Sequence, residues 1–90
     1  MRSLDFRWNE DKNKRLKQER DLSFEAVVAA IENDQILDDF DHPARKGQRV
    51  LVVEIEGYVC AVPYVRDEHV MFLKTIFRNR DLNRKYKVMQ

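Results

Sequence analysis

The sequence predicts one α+β domain, with a mainly antiparallel sheet and helices packed on one face of it. Its first half contains an apolar stripe with helical spacing, formed by Phe24, Val27, Val28 and Ile31. Its second half contains β-branched, alternating segments joined by short connections, which favour an antiparallel meander. A chain of 90 residues, 43% of them hydrophobic, suffices for one modest core. We therefore expect a single domain over residues 1–90.

The first half begins with a short strand and continues with two helices. Residues 4–8 alternate apolar and polar side chains, which is typical of a half-buried strand. Asn9 is a suitable N-cap with two acidic residues after it, so we predict a polar surface helix over residues 10–20. Ser23 is the next N-cap, and the apolar stripe of the second helix starts directly after it.

Strands dominate the remainder of the chain. We predict them over residues 36–40, 50–55, 58–65 and 70–77, followed by a helix over residues 81–88. Glu56 and Gly57 form a plausible hairpin turn, and Pro63 predicts that its strand lies at an edge or carries a bulge. Asn79 and Asp81 are both candidates to cap the last helix. We write the order as β-α-α-β-β-β-α, which counts four of these five strands.

Alternation along the last strand divides its side chains between two faces. The more apolar face, which we expect to meet the helices, carries Met71, Leu73, Thr75 and Phe77. The other face carries Lys74, Ile76 and Arg78. We expect Lys74 and Arg78 to project from the open face, beside the basic tail. That face must be polar, covered by the tail, or covered by a partner.

The charge is unevenly distributed, although the net charge is only +1. Residues 1–20 contain seven Lys or Arg against four Asp or Glu, and residues 66–90 contain seven against three. Residues 21–65 contain three against nine. Two basic ends around an acidic middle suggest a polyanionic partner if the ends meet in space.

Several protein classes find no support in the sequence. A single cysteine excludes an internal disulfide, and no apolar run has the length of a membrane span or of a signal sequence. We therefore expect a cytoplasmic protein without a membrane partner. There is no glycine-rich phosphate loop, and His42 and His69 stand far apart, so we expect no cofactor and no metal. Asp38, Asp39 and Asp41 are interpreted as a solvated strand and turn rather than a cation site.

The basic tail is the most informative feature for function. It carries Lys74, Arg78, Arg80, Arg84, Lys85 and Lys87. By spacing alone, a solvated helix face is the commonest interpretation of such a run. Nucleic-acid contact is the second interpretation and catalysis the third. Trp8 and Cys60 are interpreted as packing residues, and His42 as a turn residue.

When the 2′-hydroxyl of the RNA itself cleaves the chain, the reaction has three requirements, which residues of the basic tail could meet. The hydroxyl must lose a proton, the phosphorane charge must be stabilised, and the leaving oxygen must gain a proton. Arg and Lys supply the second requirement, and Arg can hold a phosphate through two parallel hydrogen bonds. Lys74 and Tyr86 are candidates for proton transfer if their surroundings tune their pKa values.

The N-terminal stretch FRWNEDKNKRLKQERDLSFEAVV resembles the opening of the BrnT family of bacterial toxins. The matching positions are Phe6, Trp8, Asn9, Lys12, Asn13, Ser23, Phe24 and Glu25. In the tail, Arg80 matches the first arginine of the family pattern, and Arg84 with Lys85 matches its basic pair. Arg78 and Asn79 stand where the family carries a Ser-Ala pair.

This resemblance implies a RelE-like two-layer fold and the toxin half of a type II toxin–antitoxin system. It implies a metal-independent endoribonuclease that cuts RNA, blocks translation and is neutralised by a cognate antitoxin of the ribbon-helix-helix type. DNA would then be contacted only through the antitoxin. The expected catalytic residues are Arg80, Arg84, Arg78, Lys85 and Tyr86, and the expected RNA-binding residues are Lys74, Lys87 and Lys12. The alternative is a non-catalytic or attenuated member that binds antitoxin or RNA in an autorepressor complex.

Overall fold

Three helices and a six-stranded mixed sheet make up residues 4–88, the part of the chain described by the computed structural model, with side chains described for residues 4–86. The elements are β1 (Asp5–Arg7), α1 (Glu10–Arg20), α2 (Phe24–Glu32), β2 (Ile36–Asp41), β3 (Arg49–Ile55), β4 (Tyr58–Asp67), β5 (Val70–Leu73), β6 (Phe77–Arg78) and α3 (Arg80–Val88). The predicted α+β class is confirmed. The order β-α-α-β-β-β-α is wrong in its number of strands, because six strands are present in the described residues.

The sheet has the strand order β1-β5-β4-β3-β2, and the short β6 pairs with β4. β1 lies parallel to β5, whereas the other pairs are antiparallel. The hairpin between β3 and β4 turns at Glu56 and Gly57, as predicted. Both residues have positive φ, 51° and 80°, as a two-residue turn of the primed type requires. β2 and β1 form the two edges of the sheet.

Side-chain caps fix the starts of the first two helices. Asn9 Oδ1 accepts a 3.0 Å hydrogen bond from the Lys12 amide, and Ser23 Oγ accepts one of 3.1 Å from the Ala26 amide. Both caps were predicted, and both satisfy an amide that a helix start leaves without a partner. Asn13 then joins the two helices from a position that is only 1% exposed. Its Oδ1 accepts from the Phe24 amide at 2.9 Å.

The main core lies between the sheet and the pair of helices α1 and α2. Phe24 and Val27 are fully buried there, and Leu16 from α1 is 4% exposed. The Trp8 ring stacks on Phe24 with its centroid 5.6 Å away, so its interpretation as a packing residue is confirmed. The sheet contributes Leu51, Val53, Ile55, Cys60, Val62, Tyr64, Met71 and Leu73 to this core, and Ile76 joins them.

The last helix covers the opposite face of the sheet. Leu82 and Tyr86 of α3 pack against a second cluster of buried residues, formed by Val50, Val52, Val59 and Ala61. Of the three possibilities predicted for this face, cover by the tail is therefore the one observed, whereas the predicted two-layer arrangement is wrong because α3 forms a third layer. The third layer is needed because the run of apolar residues in β3 and β4 presents apolar side chains to both faces of the sheet. A strand that is apolar on both faces needs cover on both, and α3 supplies the second cover.

A one-residue irregularity interrupts the pairing along β4. Tyr64 pairs with Leu73, whereas Ala61 pairs with Phe77. The two residues of β4 at 62–63 therefore oppose the three residues at 74–76. Pro63 lies at this break, and its carbonyl accepts a 2.8 Å hydrogen bond from the Lys74 amide. The prediction of a bulge at Pro63 fits this break, but β4 lies inside the sheet, so its placement at an edge is wrong.

The irregularity reverses the faces predicted for the end of the strand. A shift of one residue sends every following side chain to the other face. Ile76 is consequently fully buried beneath α1 and α2, together with Met71 and Leu73. Phe77 is 37% exposed and pairs with Ala61, on the face that α3 covers. The predicted common face of Met71, Leu73, Thr75 and Phe77 is thus wrong at Phe77, and the predicted outward position of Ile76 is also wrong.

Candidate nucleic-acid interface

The last helix presents two of the predicted site residues together. Asn79 caps α3, since its Oδ1 accepts a 3.0 Å hydrogen bond from the Leu82 amide. Arg80 and Arg84 are one helical turn apart, and both are exposed. Neither makes a hydrogen bond or ion pair with a residue of the described part of the chain. Their guanidinium groups are therefore available to an anionic ligand.

Tyr86 and Lys85 make internal contacts instead. The Tyr86 hydroxyl donates a 2.7 Å hydrogen bond to Asp38 Oδ2 in β2, and Lys85 Nζ lies 5.3 Å above the Tyr86 ring. The hydrogen bond from Tyr86 is the largest cause that lowers the pKa of Asp38, and the same bond raises the pKa of Tyr86. In this arrangement Tyr86 holds α3 to the edge strand.

Arg78 lies on the other side of the sheet from α3. It pairs with Cys60, whose side chain belongs to the core beneath α1 and α2. Its Nη1 donates a 2.9 Å hydrogen bond to the carbonyl of Arg20 at the end of α1. The prediction that Arg78 shares an open face with the basic tail is therefore wrong, and the cause is the register shift described above. The Cys60 thiol beside it is buried, as expected, and burial raises its pKa to about 11.

Lys74 connects two neighbouring hollows on the surface. Its Nζ lies 5.3 Å above the ring of Phe72, which is 37% exposed. One hollow of about 460 Å³ is lined by Lys74 together with Asn9, Asp11, Lys12, Arg15 and Phe72. The structure thus brings the predicted RNA-binding residues Lys12 and Lys74 to one hollow. The side chain of Lys87, the third predicted residue, lies outside the described part of the chain.

The second hollow, called here the cationic hollow, measures about 240 Å³. It is lined by His42, Arg45, Gln48, Pro63, Lys74 and Thr75. Two of these residues are cationic and three others carry polar side chains that donate hydrogen bonds. Such a set suits an anion, and a phosphate in particular.

Lys74 is the residue of this hollow that the sequence predicted as a site residue, whereas His42 and Arg45 were missed. The Nδ1 of His42 accepts hydrogen bonds from the amides of Ala44 and Arg45, at 3.0 and 3.1 Å. These contacts confirm its interpretation as a turn residue and assign the ring proton of the neutral form to Nε2. Nε2 has no hydrogen-bond partner among residues 4–86. A histidine directly before a proline, at the end of an acidic strand, was the only sequence signal that pointed to it.

The carboxylates of the acidic run in β2 make hydrogen bonds and ion pairs within the chain. Asp39 accepts hydrogen bonds from the Tyr64 hydroxyl at 2.8 and 2.9 Å, and Arg49 contacts both Asp39 and Asp41, at 3.1 and 2.6 Å. Among the described residues there is no group of three or more His, Cys, Asp or Glu placed to hold a metal ion. Arg49 therefore balances part of the charge of this run, and the Tyr64 and Tyr86 hydroxyls donate hydrogen bonds to Asp39 and Asp38.

Comparison with known proteins adds no relative to this picture. The chain matches no family model, no curated protein and no solved structure. Within residues 4–88, none of the helices has the length and apolar character needed to cross a membrane. What the chain does is therefore inferred from its own side chains and their geometry.

Proposed function

We propose that this protein is the toxin half of a type II toxin–antitoxin pair and that it binds and cleaves RNA. The observation that carries the proposal is the cationic hollow, which Arg45, Lys74 and His42 line together. His42 Nε2 has no hydrogen-bond partner among residues 4–86 and can therefore contact a ligand. Lys74 also lines the hollow of Lys12 and Arg15, which extends the cationic surface toward α1. Four cations, Lys12, Arg15, Arg45 and Lys74, thus lie along one path on a chain with a net charge of only +1.

The chemistry proposed for the cationic hollow is transesterification at a phosphate of the RNA chain. The 2′-oxygen attacks phosphorus, the bond from phosphorus to the 5′-oxygen breaks, and a 2′,3′-cyclic phosphate forms. Arg45 and Lys74 stabilise the charge that develops on the phosphorane oxygens. Water takes the proton of the 2′-hydroxyl, and the Lys74 ammonium gives a proton to the leaving oxygen.

His42 has a different role in this proposal. A histidine that exchanges protons at one ring nitrogen carries a proton on the other nitrogen, as both its general-base and its general-acid forms require. The Nδ1 of His42 is engaged by two backbone amides, which leaves the Nε2 proton as a hydrogen-bond donor. We assign His42 to orient a phosphate oxygen rather than to transfer a proton.

The exposed Arg80 and Arg84 supply a further contact surface for the RNA backbone. Their lack of partners among residues 4–86 means that phosphate contact breaks no internal ion pair. The proposal includes a cognate antitoxin of the ribbon-helix-helix type, through which alone the pair would contact DNA, and a place in the cytoplasm. The antitoxin follows from the resemblance of the N-terminal stretch to the BrnT family, and the place in the cytoplasm is the expectation from the sequence composition.

A second candidate is a non-catalytic member that binds RNA or antitoxin within an autorepressor complex. It is favoured by the internal contacts of Arg78, Tyr86 and His42 Nδ1, because these engage one expected phosphate-binding group and two groups that could otherwise transfer a proton. Both candidates use the same cationic surface. They differ in whether cut RNA ends are produced.

The test is growth after induction of the chain in a bacterium, followed by mapping of RNA 5′ ends. The informative variant is Arg45→Ala/Lys74→Ala, and its matched control is Lys14→Ala/Arg66→Ala, which removes one Lys and one Arg elsewhere on the exposed surface. We expect arrest and new RNA ends with the parent and the control, and neither with the informative variant. Arrest by all three would refute the site, and RNA binding without new ends would establish the second candidate.

A further inference from the structure

A third hollow adjoins the cationic hollow, on the face of the sheet that α3 covers. It measures about 390 Å³ and is called here the apolar hollow. Its lining includes Phe40 at the end of β2, Phe77 of β6 and Leu82 of α3, with Val50 and Ala61 from the sheet. Phe77 is 37% exposed, so part of its ring is open to solvent. The hollow therefore presents aromatic and aliphatic surface that the fold itself leaves accessible.

Polar groups accompany this apolar lining. Asn79 uses its Oδ1 to cap α3, and its Nδ2 has no partner among residues 4–86. Asp81 is exposed and lines the same hollow, as does His42. A hydrogen-bond donor and a carboxylate acceptor beside apolar surface suit a flat ring with polar edges.

The two hollows share two of their lining residues, His42 and Pro63. An anion-binding site therefore lies next to an apolar, aromatic site. A nucleotide has the same two halves, because its phosphate is anionic and its base has apolar faces. A peptide from a partner protein would match both hollows only if it placed an acidic side chain beside an apolar one, whereas every nucleotide carries both halves.

We propose that the apolar hollow binds the nucleobase of a nucleotide whose phosphate lies in the cationic hollow, with Phe77 as the stacking residue. The inference rests on the proposed function, which identifies the anion as an RNA phosphate. It adds a site that binds the base next to that phosphate. Asn79 Nδ2 and the Asp81 carboxylate contact the polar edge of that base. The hollow then gives the protein a preference among the four bases at one position of an RNA strand.

The experiment compares affinities for inorganic phosphate and for the four nucleoside 3′-monophosphates, measured by calorimetry and by NMR shifts of the backbone amides of Phe77 and Leu82. The variants are Phe77→Ala and Phe77→Leu, which keeps an apolar side chain but removes the ring. The control is Ile36→Ala, since Ile36 is 42% exposed and lies at the opposite end of β2 from Phe40. Melting temperatures verify that each variant is folded.

We expect the parent and Ile36→Ala to bind at least one nucleotide about tenfold more tightly than phosphate, because one stacked base contributes on that order. Both Phe77 variants should lose this difference while keeping their affinity for phosphate. Equal affinities for phosphate and all nucleotides in the parent would overturn the proposal. Unchanged nucleotide affinity in Phe77→Ala, with weakened binding to an antitoxin, would assign the hollow to a protein partner and overturn it as well.

The same measurements separate this inference from the proposed function. A parent that prefers a nucleotide over phosphate, but yields no cut RNA ends, would retain the base site and refute the nuclease. A parent that cuts RNA, but has no nucleotide preference and no response to Phe77→Ala, would retain the nuclease and refute the base site.

Discussion

The hydroxyl of Tyr86 lies 2.7 Å from Oδ2 of Asp38, and this hydrogen bond joins the last helix to the edge strand β2. The two residues are 48 positions apart in the chain. Their contact helps to hold α3 over the second face of the sheet, and so positions the backbone from which Arg80 and Arg84 project. The stability of this attachment is therefore a condition for the proposed RNA-binding surface.

Replacing Tyr86 by Phe should loosen α3 and make stability less dependent on pH. The hydrogen bond from Tyr86 is the largest cause that lowers the pKa of Asp38, ahead of the amide of Asp39. A carboxyl pKa lowered by folding stabilises the protein above the unfolded value, near 3.8, and this contribution is lost as the pH falls through the folded value. The melting temperature of Tyr86→Phe should lie below that of the parent at neutral pH, with a smaller gap at pH about 3.

The control for this experiment is Tyr58→Phe, since the Tyr58 hydroxyl makes no hydrogen bond to residues 4–86. Its melting temperature should follow the parent at both pH values. A gap for Tyr86→Phe that stays constant down to pH about 3 would show that Asp38 is not the group responsible.

Asn13 should be among the most sensitive polar positions in the chain. Its Oδ1 accepts from the buried Phe24 amide, and its Nδ2 donates to Glu25 at 2.9 Å, which is the largest cause that lowers the pKa of Glu25. Asn13→Ala leaves the Phe24 amide without a partner, at an expected loss of about 1–3 kcal/mol in the free energy of unfolding. Urea denaturation measures this loss.

Asn9→Ala is the comparison for Asn13, because it removes an exposed cap from the same helix. Its loss should be about 1 kcal/mol or less. Equal losses at the two positions would mean that the buried bridge from Asn13 to α2 contributes nothing beyond an ordinary cap.

Glu56→Asn should raise the stability of the protein. Glu56 has a φ of 51°, in the left-handed region that side chains other than Asn, Asp and Gly rarely adopt. Asn followed by Gly is the preferred pair for this turn, so we expect a gain of up to about 1 kcal/mol in the free energy of unfolding. Glu68→Asn makes the same chemical change at a turn residue without positive φ and should give no such gain.

Cys60 should resist alkylation in the folded protein. Its thiol is buried, and burial raises its pKa to about 11, so little thiolate forms near neutral pH. Mass spectrometry after treatment with iodoacetamide should find unmodified protein in buffer and complete modification in denaturant. Rapid modification in buffer would indicate that β4 opens locally on the timescale of the reaction.

Arg80→Ala/Arg84→Ala should weaken RNA binding and make the binding constant less dependent on salt concentration. If both side chains contact phosphates, the slope of log K against log salt concentration should fall by about 1.4 for single-stranded RNA. The melting temperature should not change, because neither side chain has an internal partner among residues 4–86. The control Lys14→Ala/Arg66→Ala removes the same charge and should leave the slope unchanged. If both variants and the parent have equal slopes, Arg80 and Arg84 are excluded from the interface.

The first two helices and the hairpin between β3 and β4 could be predicted from the sequence alone, because local chemistry determines them. Asn9 and Ser23 cap α1 and α2 as predicted, and α1 has the predicted bounds of Glu10 and Arg20. The turn at Glu56 and Gly57 was also predicted. Each of these features depends on residues within three or four positions of one another, so the sequence carries the full information.

Long-range pairing decided what the sequence alone did not. One residue of register shift between 61–64 and 73–77 buried Ile76 beneath the first two helices and placed the exposed Arg78 on their side of the sheet. The same shift turned Phe77 to the face that α3 covers. Periodicity within a strand cannot reveal such a shift, because it is set by the partner strand. The predicted cluster of cations on one open face was consequently divided between two faces.

The composition of the cationic hollow was also decided by tertiary structure. His42, Arg45 and Lys74 come from a loop and a strand end that are far apart in sequence, and only the folded sheet brings them together. The sequence by itself determined the residue types, the helix starts and the basic tail. The tertiary structure decided which of those cations share a surface, because the two faces of a sheet are separated by its own buried side chains.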